Sequence, residues 1–329
     1  MISTSVSAET RRHPLMRGTY AIYTPPISDF FDTVCEWIDG HVTGGYIFGP
    51  PRQGKSRAVQ FWIERLLTER YGPLLPFFRM NQKSHDRFSE VEFLTELLGA
   101  GGHRYAQSGS RGAKLDRLVK LYATRARNSG SSLVVLMIDE AQNLRDASYR
   151  TLCNLQNELD ELGVQLIVIS VGTQELVYQH SAFVQGGDMH LVGRFMMREA
   201  LFRGIIGAAE LGFVLRAYDE GTEWPQGSGT SYTRFFFPSA FEAGFRLSPL
   251  ASDLWGVFEE MAPPKMRPQL SVAMEHVAKS VEAIIRTLAG DAAAIKISRE
   301  VLVRAVASTR YPSYMQAMAA LPGNFRHVN

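Results

Sequence analysis

The sequence has few of the features that mark secreted, zinc-binding or membrane proteins. Its two cysteines, Cys35 and Cys153, are far apart and lack any CxxC or Cys/His ligand spacing, which favours free thiols in a reducing compartment over a disulfide framework or a zinc site. No apolar run approaches the length of a transmembrane helix, and the polar N-terminus lacks the apolar core of a signal peptide. We therefore expect a cytoplasmic protein without membrane contact.

A large excess of charge is also missing. With 35 Lys and Arg against 33 Asp and Glu, the formal net charge is +2, so any nucleic-acid contact must come from local clusters of charge. What remains is a globular composition, 45% hydrophobic over 329 residues, which suits one large domain or two ordinary ones.

A phosphate-binding motif follows the apolar run Tyr46 to Phe48. Gly49-x-x-x-x-Gly54-Lys55-Ser56 fits the P-loop pattern and precedes a helical pattern, and a Gly/Pro-rich turn is the plain alternative. Lys55 is expected to reach the β- and γ-phosphates, and the Ser56 hydroxyl to bind Mg²⁺. We predict that ATP is held by Gly49, Pro50, Pro51, Arg52, Gln53, Gly54, Lys55, Ser56 and Arg57.

A second motif ends the apolar run 131–138. Asp139 and Glu140 follow directly, which is typical of a buried parallel strand that delivers carboxylates to the sheet edge where ligands bind. Asp139 is expected to hold Mg²⁺, and Glu140 to polarise the attacking water as general base. A surface Asp-Glu after a core strand is the alternative, but the upstream P-loop favours a Walker B motif.

Periodicity predicts alternating strands and helices over residues 43–205, and hence a parallel α/β sheet with right-handed connections. The expected strands lie near 46–48, 74–80, 131–138, 164–171 and 200–205, and the helices near 28–40, 56–70, 88–98, 113–128 and 147–162. Further on, residues 221–234 are expected to form a loop, followed by helices at 241–261, 271–288 and 297–309. The predicted organisation is a partly flexible tail (1–27), an α/β ATPase core (28–220), a helical lid (221–310) and a C-terminal tail (311–329).

Thr173 comes just after the strand 164–171. Its hydroxyl could contact the γ-phosphate of a bound nucleotide, or could simply cap the following helix, and the residue pattern favours neither.

Four motifs occur in the order Gly-Pro-Pro-Arg-Gln-Gly-Lys-Ser, Ile-Asp-Glu-Ala-Gln-Asn-Leu, Ile-Ser-Val-Gly-Thr-Gln-Glu-Leu and Gly-Arg-Phe. With them, residues 28–310 resemble AAA+ ATPases, and more narrowly the transposition regulators of the TnsC/TniB group from Tn7-like elements, including those that use CRISPR guides. The resemblance implies an AAA+ P-loop core with a small helical lid, and a bacterial, DNA-associated protein.

The resemblance also implies roles for single residues. Thr173 matches sensor 1, and Arg194 matches the arginine finger that completes a neighbouring subunit's site, with Arg198 or Arg203 as alternatives. Arg267 lies where the lid's sensor 2 is expected, although the prolines around it depart from the usual helix start.

Such regulators form rings or helical filaments around duplex DNA, with the segments flanking Walker B facing the DNA. Here these segments carry residues suited to phosphate contacts without base readout, although an outward basic helix face is often only solvated. The predicted DNA contacts are Arg125, Arg127, Arg145, Ser148 and Arg150.

The resulting hypothesis is an ATPase that oligomerises on DNA and links a target-selection protein, TniQ-like or TnsD-like or a guide-RNA complex, to a transposase. Two alternatives stay open. One is a nucleotide-switched adaptor with little hydrolysis, against which the intact Lys55, Asp139 and Glu140 count. The other is a helicase loader or an initiator-like AAA+ protein.

Overall fold

The computed structural model describes residues 8–290 and 292–320. By their internal contacts these fall into two compact units. The sheet unit comprises residues 29–51 and 55–202, and the helical unit comprises the described residues up to 28, residues 52–54 and the described residues from 203 onward.

The described part of the sheet unit contains one five-stranded sheet whose neighbouring strands are all parallel. Its strands are β1 (Gly44–Phe48), β2 (Phe77–Asn81), β3 (Leu133–Asp139), β4 (Gln165–Gly172) and β5 (Glu199–Leu201). They lie in the order β2-β3-β4-β1-β5. The P-loop strand β1 therefore lies beside β4, and β4 separates it from β3, the strand that ends in Asp139.

Strand β3 shows why the sheet forms where it does. All seven of its residues are buried, as expected for a central parallel strand that helices cover on both faces. Val134, Leu136 and Ile138 belong to one core cluster with Leu152 and Leu155, which come from the helix that follows. Burial of this continuous apolar run fixes the position of the carboxylates at its end.

The helices of the sheet unit begin and end at recognisable signals. Ser89 and Ser110 accept hydrogen bonds from the backbone N–H groups three residues later, and Gly130 ends the longest helix in the left-handed conformation (φ 68°). The helices within this unit are Lys55–Phe61, Ile63–Tyr71, Glu90–Ala100, Arg111–Ser129, Asp146–Asp160, Glu175–Gly186 and Met189–Leu191, with a 3₁₀ turn at Ala141–Asn143 and a π-helical turn at Val192–Met196. The helix Pro25–Asp39 belongs to it from residue 29 onward.

The helical unit has its own apolar core, built around residues such as Leu215, Leu254, Val281 and Ile285. Its α-helices are Ala8–Arg12, Pro14–Arg17, Gly207–Asp219, Tyr232–Phe236, Pro238–Glu242, Ala251–Met261, Met274–Leu288, Arg299–Ser308 and Tyr311–Ala320, with 3₁₀ turns at Ser248–Leu250 and Pro264–Gln269. Ile205 and Val272 form an isolated antiparallel bridge.

A buried carboxylate organises the connections of the helical unit. Asp219 is 1% exposed and accepts hydrogen bonds from the Thr233 hydroxyl and from the backbone N–H groups of Leu247 and Ser248, at 2.8–2.9 Å. These partners lie in two separate segments, the helix Tyr232–Phe236 and the start of the turn Ser248–Leu250, so one satisfied acceptor fixes both.

The predicted fold class, a parallel α/β sheet flanked by helices and followed by a helical region, is confirmed. Several boundaries differ. The helix expected at 56–70 breaks at Trp62, and the helix expected at 28–40 begins at Pro25. The single helix expected at 241–261 is wrong, because Gly244 adopts φ 96° and a 3₁₀ turn precedes Ala251.

The predicted tails contain helices. Residues 8–17 form helices, as do residues 311–320, and Leu15, Tyr311 and Met315 are buried in the core of the helical unit. The rest of these tails, residues 1–7 and 321–329, lies outside the described residues. Within the described ranges, no helix combines the length and the apolar character needed to cross a membrane.

Candidate nucleotide-binding site

The loop after β1 needs glycine at both of its motif positions, for different reasons. A side chain at Gly49 would overlap the backbone carbonyl of Phe202, which lies just after β5. Gly54 adopts φ 108°, a conformation that other residues rarely take. Arg52, between them, adopts φ 70°. This backbone, followed directly by the helix Lys55–Phe61, is the arrangement that points N–H groups at phosphate oxygens.

Lys55 is 8% exposed and lies against the loop that it follows. Its ammonium donates to the carbonyls of Gly49 (2.8 Å) and Pro50 (2.7 Å). Burial lowers the pKa of Lys55 to about 8, and the carboxylates of Glu140 and Asp139 oppose that shift. The side chain is thus a buried cation within the field of two carboxylates.

The two acids lie at the end of β3. Asp139 is 7% exposed; burial raises the pKa of its carboxyl group, and a hydrogen bond with the Ser56 side chain partly offsets that rise. Asp139 Oδ1 also accepts from the backbone N–H of Glu140 at 2.9 Å. A hydroxyl and a carboxylate side by side are hard oxygen ligands of the kind that Mg²⁺ prefers, so these residues fit the predicted metal.

Strand register brings the predicted residues to one edge of the sheet. In the ladder, Phe48 pairs with Gly172 of β4, and Ser170 pairs with Ile138 of β3. The P-loop, Thr173 and the Asp139-Glu140 pair therefore leave three adjacent strands at the same carboxyl edge. Thr173 is half-buried, and its hydroxyl accepts from the Glu175 backbone N–H at 3.4 Å, so it also acts at the start of the following helix.

Gln142 is a residue of this edge that the motifs did not single out. Its amide nitrogen donates to Glu140 Oε2 at 2.6 Å, and its amide oxygen accepts from the backbone N–H of Thr173 at 3.2 Å. The Gln in Asp-Glu-Ala-Gln was visible in the sequence, but its second partner is 31 residues away, so only the register of β3 and β4 reveals the link.

Arg194 lies at the opposite edge of the sheet. It is half-buried in the π-helical turn Val192–Met196, its carbonyl accepts from Thr43 Oγ1 at 3.0 Å, and its guanidinium donates to Gln156 Oε1 at 3.4 Å. Thr43 directly precedes β1, so Arg194 is separated from the P-loop by the length of that strand, about 20 Å. Arg194 is therefore too far away to contact a nucleotide held by its own P-loop.

The alternative finger residues differ in their surroundings. Arg203, in the helical unit, makes two 2.8 Å hydrogen bonds to Glu210 and is committed to that contact. Arg198 is exposed.

The helical unit contains three further residues of the predicted nucleotide site. Arg267 donates to the carbonyls of Ala262 (3.2 Å) and Glu260 (3.0 Å), and so caps the end of the helix Ala251–Met261. Arg52 pairs with Glu275 (3.7 Å), whose backbone N–H donates to the Arg52 carbonyl (3.2 Å), and the Gln53 side chain is 6% exposed.

The predicted DNA contacts after Walker B are mostly engaged within the chain. The Arg145 guanidinium donates to the carbonyls of His85 and Asp86, and Arg150 pairs with Asp188 at 2.9 Å. The prediction for Ser148 is wrong, because this residue is 2% exposed and its hydroxyl accepts from the Arg145 backbone N–H as a helix cap.

The contacts predicted before Walker B lie elsewhere. Arg125 and Arg127 are exposed on the last turns of the helix Arg111–Ser129, which leads into the amino end of β3. Arg145 follows the carboxyl end of that strand. The seven residues of β3 separate the two sets by about 20 Å, so the structure does not bring them into one patch.

Together, the fold and the site define a class: this chain has an AAA+ P-loop fold. An AAA domain family profile matches residues 39–178, which span the P-loop, the Walker B acids and Thr173. A search of curated protein sequences found no match.

Solved structures with the same fold include two ORC proteins of Aeropyrum pernix and a Walker-type ATPase of Pyrococcus abyssi. The Aeropyrum pernix ORC2 protein, in its ADPNP-ADP complexes, is 11% identical, with 90% of this chain and 71% of that chain covered and a TM-score of 0.57. A Walker-type ATPase of Pyrococcus abyssi is 13% identical, with coverages of 88% and 73% and a TM-score of 0.53. The Aeropyrum pernix ORC1 protein in complex with DNA is 14% identical, with coverages of 94% and 72% and a TM-score of 0.50.

Proposed function

We propose that this protein is a nucleotide-switched AAA+ ATPase that acts on duplex DNA in the manner of an initiator or loader. The observation that carries the ATPase part is the strand register, which places the P-loop, the two acids and Thr173 at one sheet edge. The similar Aeropyrum ORC2 structure has ADPNP and ADP bound, and the similar ORC1 structure has DNA bound, which supports both halves of the proposal.

In the proposed mechanism the chain binds the triphosphate through the loop N–H groups and Lys55, whose ammonium exchanges its contacts with the Gly49 and Pro50 carbonyls for phosphate oxygens. Ser56 and Asp139 would hold Mg²⁺, and the ion would neutralise phosphate charge there. Glu140 accepts a proton from the attacking water, and Thr173 contacts the γ-phosphate.

Arg194 is proposed to act in a neighbouring copy. It lies at the sheet edge away from its own site, and a guanidinium supplied in trans stabilises the charge that develops on the γ-phosphate. Hydrolysis then requires assembly, whether as a ring or as a helical filament. Arg267 as sensor 2 also stays a proposal, and it requires the guanidinium to leave the helix end that it caps.

The first experiment separates binding from hydrolysis. Nucleotide binding and phosphate release should be measured for the wild type, Lys55→Ala and Glu140→Gln, with and without duplex DNA and Mg²⁺. We expect Lys55→Ala to lose binding, and Glu140→Gln to keep binding while turnover falls by orders of magnitude. Tight binding without turnover by the wild type, with DNA and Mg²⁺ present, would refute the ATPase proposal and support the adaptor.

DNA contact is proposed for the exposed arginines Arg125 and Arg127, since Arg145 and Arg150 already have partners. The logarithm of the DNA association constant falls linearly with the logarithm of the salt concentration, and each phosphate contact that is lost should reduce the steepness of that slope by about one. We expect the double alanine variant at 125 and 127 to lower the slope by about two, and Arg65→Ala, an exposed arginine of the helix Ile63–Tyr71, to leave it unchanged. Equal slopes for wild type and double variant would refute this placement.

Transposition regulation is the second candidate. The ordered motif series favours it, whereas the structural similarities favour the initiator-like role. Pull-down with purified proteins distinguishes the two: a transposase or a target-selection protein retained only with ATP and DNA supports the regulator, and a replicative helicase retained under the same conditions supports the loader.

A further inference from the structure

The side chain of Gln142 joins the end of β3 to the end of β4. Its amide nitrogen donates to Glu140 Oε2 (2.6 Å), and its amide oxygen accepts from the backbone N–H of Thr173 (3.2 Å). One side chain therefore contacts both the carboxylate proposed as general base and the residue proposed to contact the γ-phosphate.

The chemistry of its two partners fixes the orientation of this amide. A carboxylate can only accept, and a backbone N–H can only donate. The reversed amide would direct its oxygen at Glu140 and its NH₂ group at the Thr173 N–H, which loses both hydrogen bonds. Only this orientation of the Gln142 amide satisfies both ends of the link, so the two contacts depend on a single side-chain position.

The surroundings leave little room for another position. A β-carbon at Gly172 would overlap the Gln142 amide oxygen, so the backbone of β4 approaches the amide closely. The 3₁₀ turn Ala141–Asn143 is itself anchored, because Gln179 Nε2 donates to the carbonyls of Gln142 (2.8 Å) and Leu144 (3.1 Å). The position of the amide is therefore restricted by its own anchored backbone and by the close approach of β4.

Glu140 needs such a support. It adopts φ 55° and ψ 34°, the left-handed region that costs a non-glycine residue energy, at the junction of β3 and the 3₁₀ turn. Its side chain is flexible and only half-buried, whereas a general base must hold one oxygen toward the water. The contact from Gln142 to Oε2 leaves Oε1 to accept the proton.

We propose that Gln142 is a positioning residue that couples the Thr173 segment to the orientation of the Glu140 carboxylate. The inference rests on the proposed ATPase function and deepens it. When Thr173 moves with the state of the γ-phosphate, Gln142 moves the base with it, so the base is aligned only while a triphosphate is present.

Two substitutions of Gln142 separate the halves of the link. Gln142→Ala removes both contacts. Gln142→Glu has the same shape and can still accept from Thr173, but it cannot donate to Glu140 when ionised and adds like charge beside it. We expect kcat to fall by about ten- to a hundred-fold in both variants, the scale of a hydrogen bond to a charged group, with ATP affinity within about twofold of wild type.

A double-mutant cycle with Gly172→Ala tests the coupling itself. The new methyl group displaces the Gln142 amide, so we expect Gly172→Ala to lower kcat more in the wild type than in the Gln142→Ala background. The methyl also approaches Leu176 Cδ1 (2.9 Å), an effect that is the same in both backgrounds and cancels in the cycle.

The outcomes distinguish this inference from the function on which it rests. No turnover by the wild type refutes the ATPase proposal. A second outcome is that the wild type turns over, Glu140→Gln does not, and both Gln142→Ala and Gln142→Glu keep the wild-type kcat. That outcome overturns only the positioning role of Gln142. Additive effects of Gly172→Ala and Gln142→Ala overturn the coupling through the amide.

Discussion

Hydrolysis should be recovered by mixing two variants that are each inactive. Arg194→Ala keeps the base but supplies no finger, and Glu140→Gln keeps the finger but lacks the base. Because Arg194 lies about 20 Å along β1 from the P-loop of its own chain, the proposed finger acts on a neighbouring copy. A mixed assembly then contains sites built from the intact half of each variant.

The magnitude follows from counting interfaces. A site is active when the chain that binds ATP carries Glu140 and the chain next to it carries Arg194. With equal amounts and random assembly in a head-to-tail arrangement, about a quarter of the sites meet both conditions. An arginine finger contributes about 10³- to 10⁵-fold to kcat, so the recovered activity should exceed that of Arg194→Ala alone by at least two orders of magnitude.

The assay is phosphate release on duplex DNA at fixed total protein, with the ratio of the two variants changed stepwise. Activity should follow the product of the two fractions and reach its maximum at equal amounts. Pairing Arg198→Ala with Glu140→Gln is the matched control. If Arg198 is not the finger, Arg198→Ala is active alone, and the activity of the mixture falls linearly as the fraction of Glu140→Gln rises. Activity near zero at every ratio of the first pair would refute action in trans by Arg194.

Three further predictions concern stability, measured by urea unfolding. Burial lowers the pKa of His13 to about 4, so the unfolded chain binds a proton at this residue before the folded chain does as the pH falls. The stability that neutral, buried His13 contributes is therefore complete above about pH 6.5 and is lost toward pH 4. His13→Asn keeps an acceptor for the Leu15 N–H but does not titrate in this range. Between pH 6.5 and pH 4 its free energy of unfolding should fall by about 1–3 kcal/mol less than that of the wild type, and an equal fall would contradict the lowered pKa of His13. Tyr122→Phe should stabilise the protein by about 1 kcal/mol, since the fully buried Tyr122 hydroxyl has no partner among the described residues; a loss of stability would show that it is satisfied. Ser148→Ala should cost about 1 kcal/mol without changing the salt dependence of DNA binding, and a changed slope would restore Ser148 as a DNA contact.

The sequence predicted those parts of the site whose chemistry is local. The P-loop and the acids after β3 depend on spacing within one short segment, and the structure has them at the predicted strand ends. Burial of continuous apolar runs likewise predicted the central strands within a few residues.

Features that depend on distant neighbours could not be predicted. The role of Gln142 needs the register between β3 and β4, and Ser148 was misassigned because its polarity, and not its burial under a cap, is visible in the sequence. The helix expected at 241–261 failed because apolar periodicity continued through Gly244, where the backbone turns with φ 96°. In each case a tertiary contact or a single dihedral angle decided the outcome.

The separation of the two sheet edges has a functional consequence. ATP is expected to be bound by groups that one chain holds at the carboxyl edge, including Lys55, Asp139 and Thr173. Arg194, the proposed finger for the charge that builds during hydrolysis, is held by the same chain at the amino edge. Because the strands between these edges are fixed in length, no rotamer change within one chain can bring the two together. With Arg194 as the finger, nucleotide binding precedes assembly and hydrolysis follows it, so the proposal predicts that turnover rises with the number of adjacent copies.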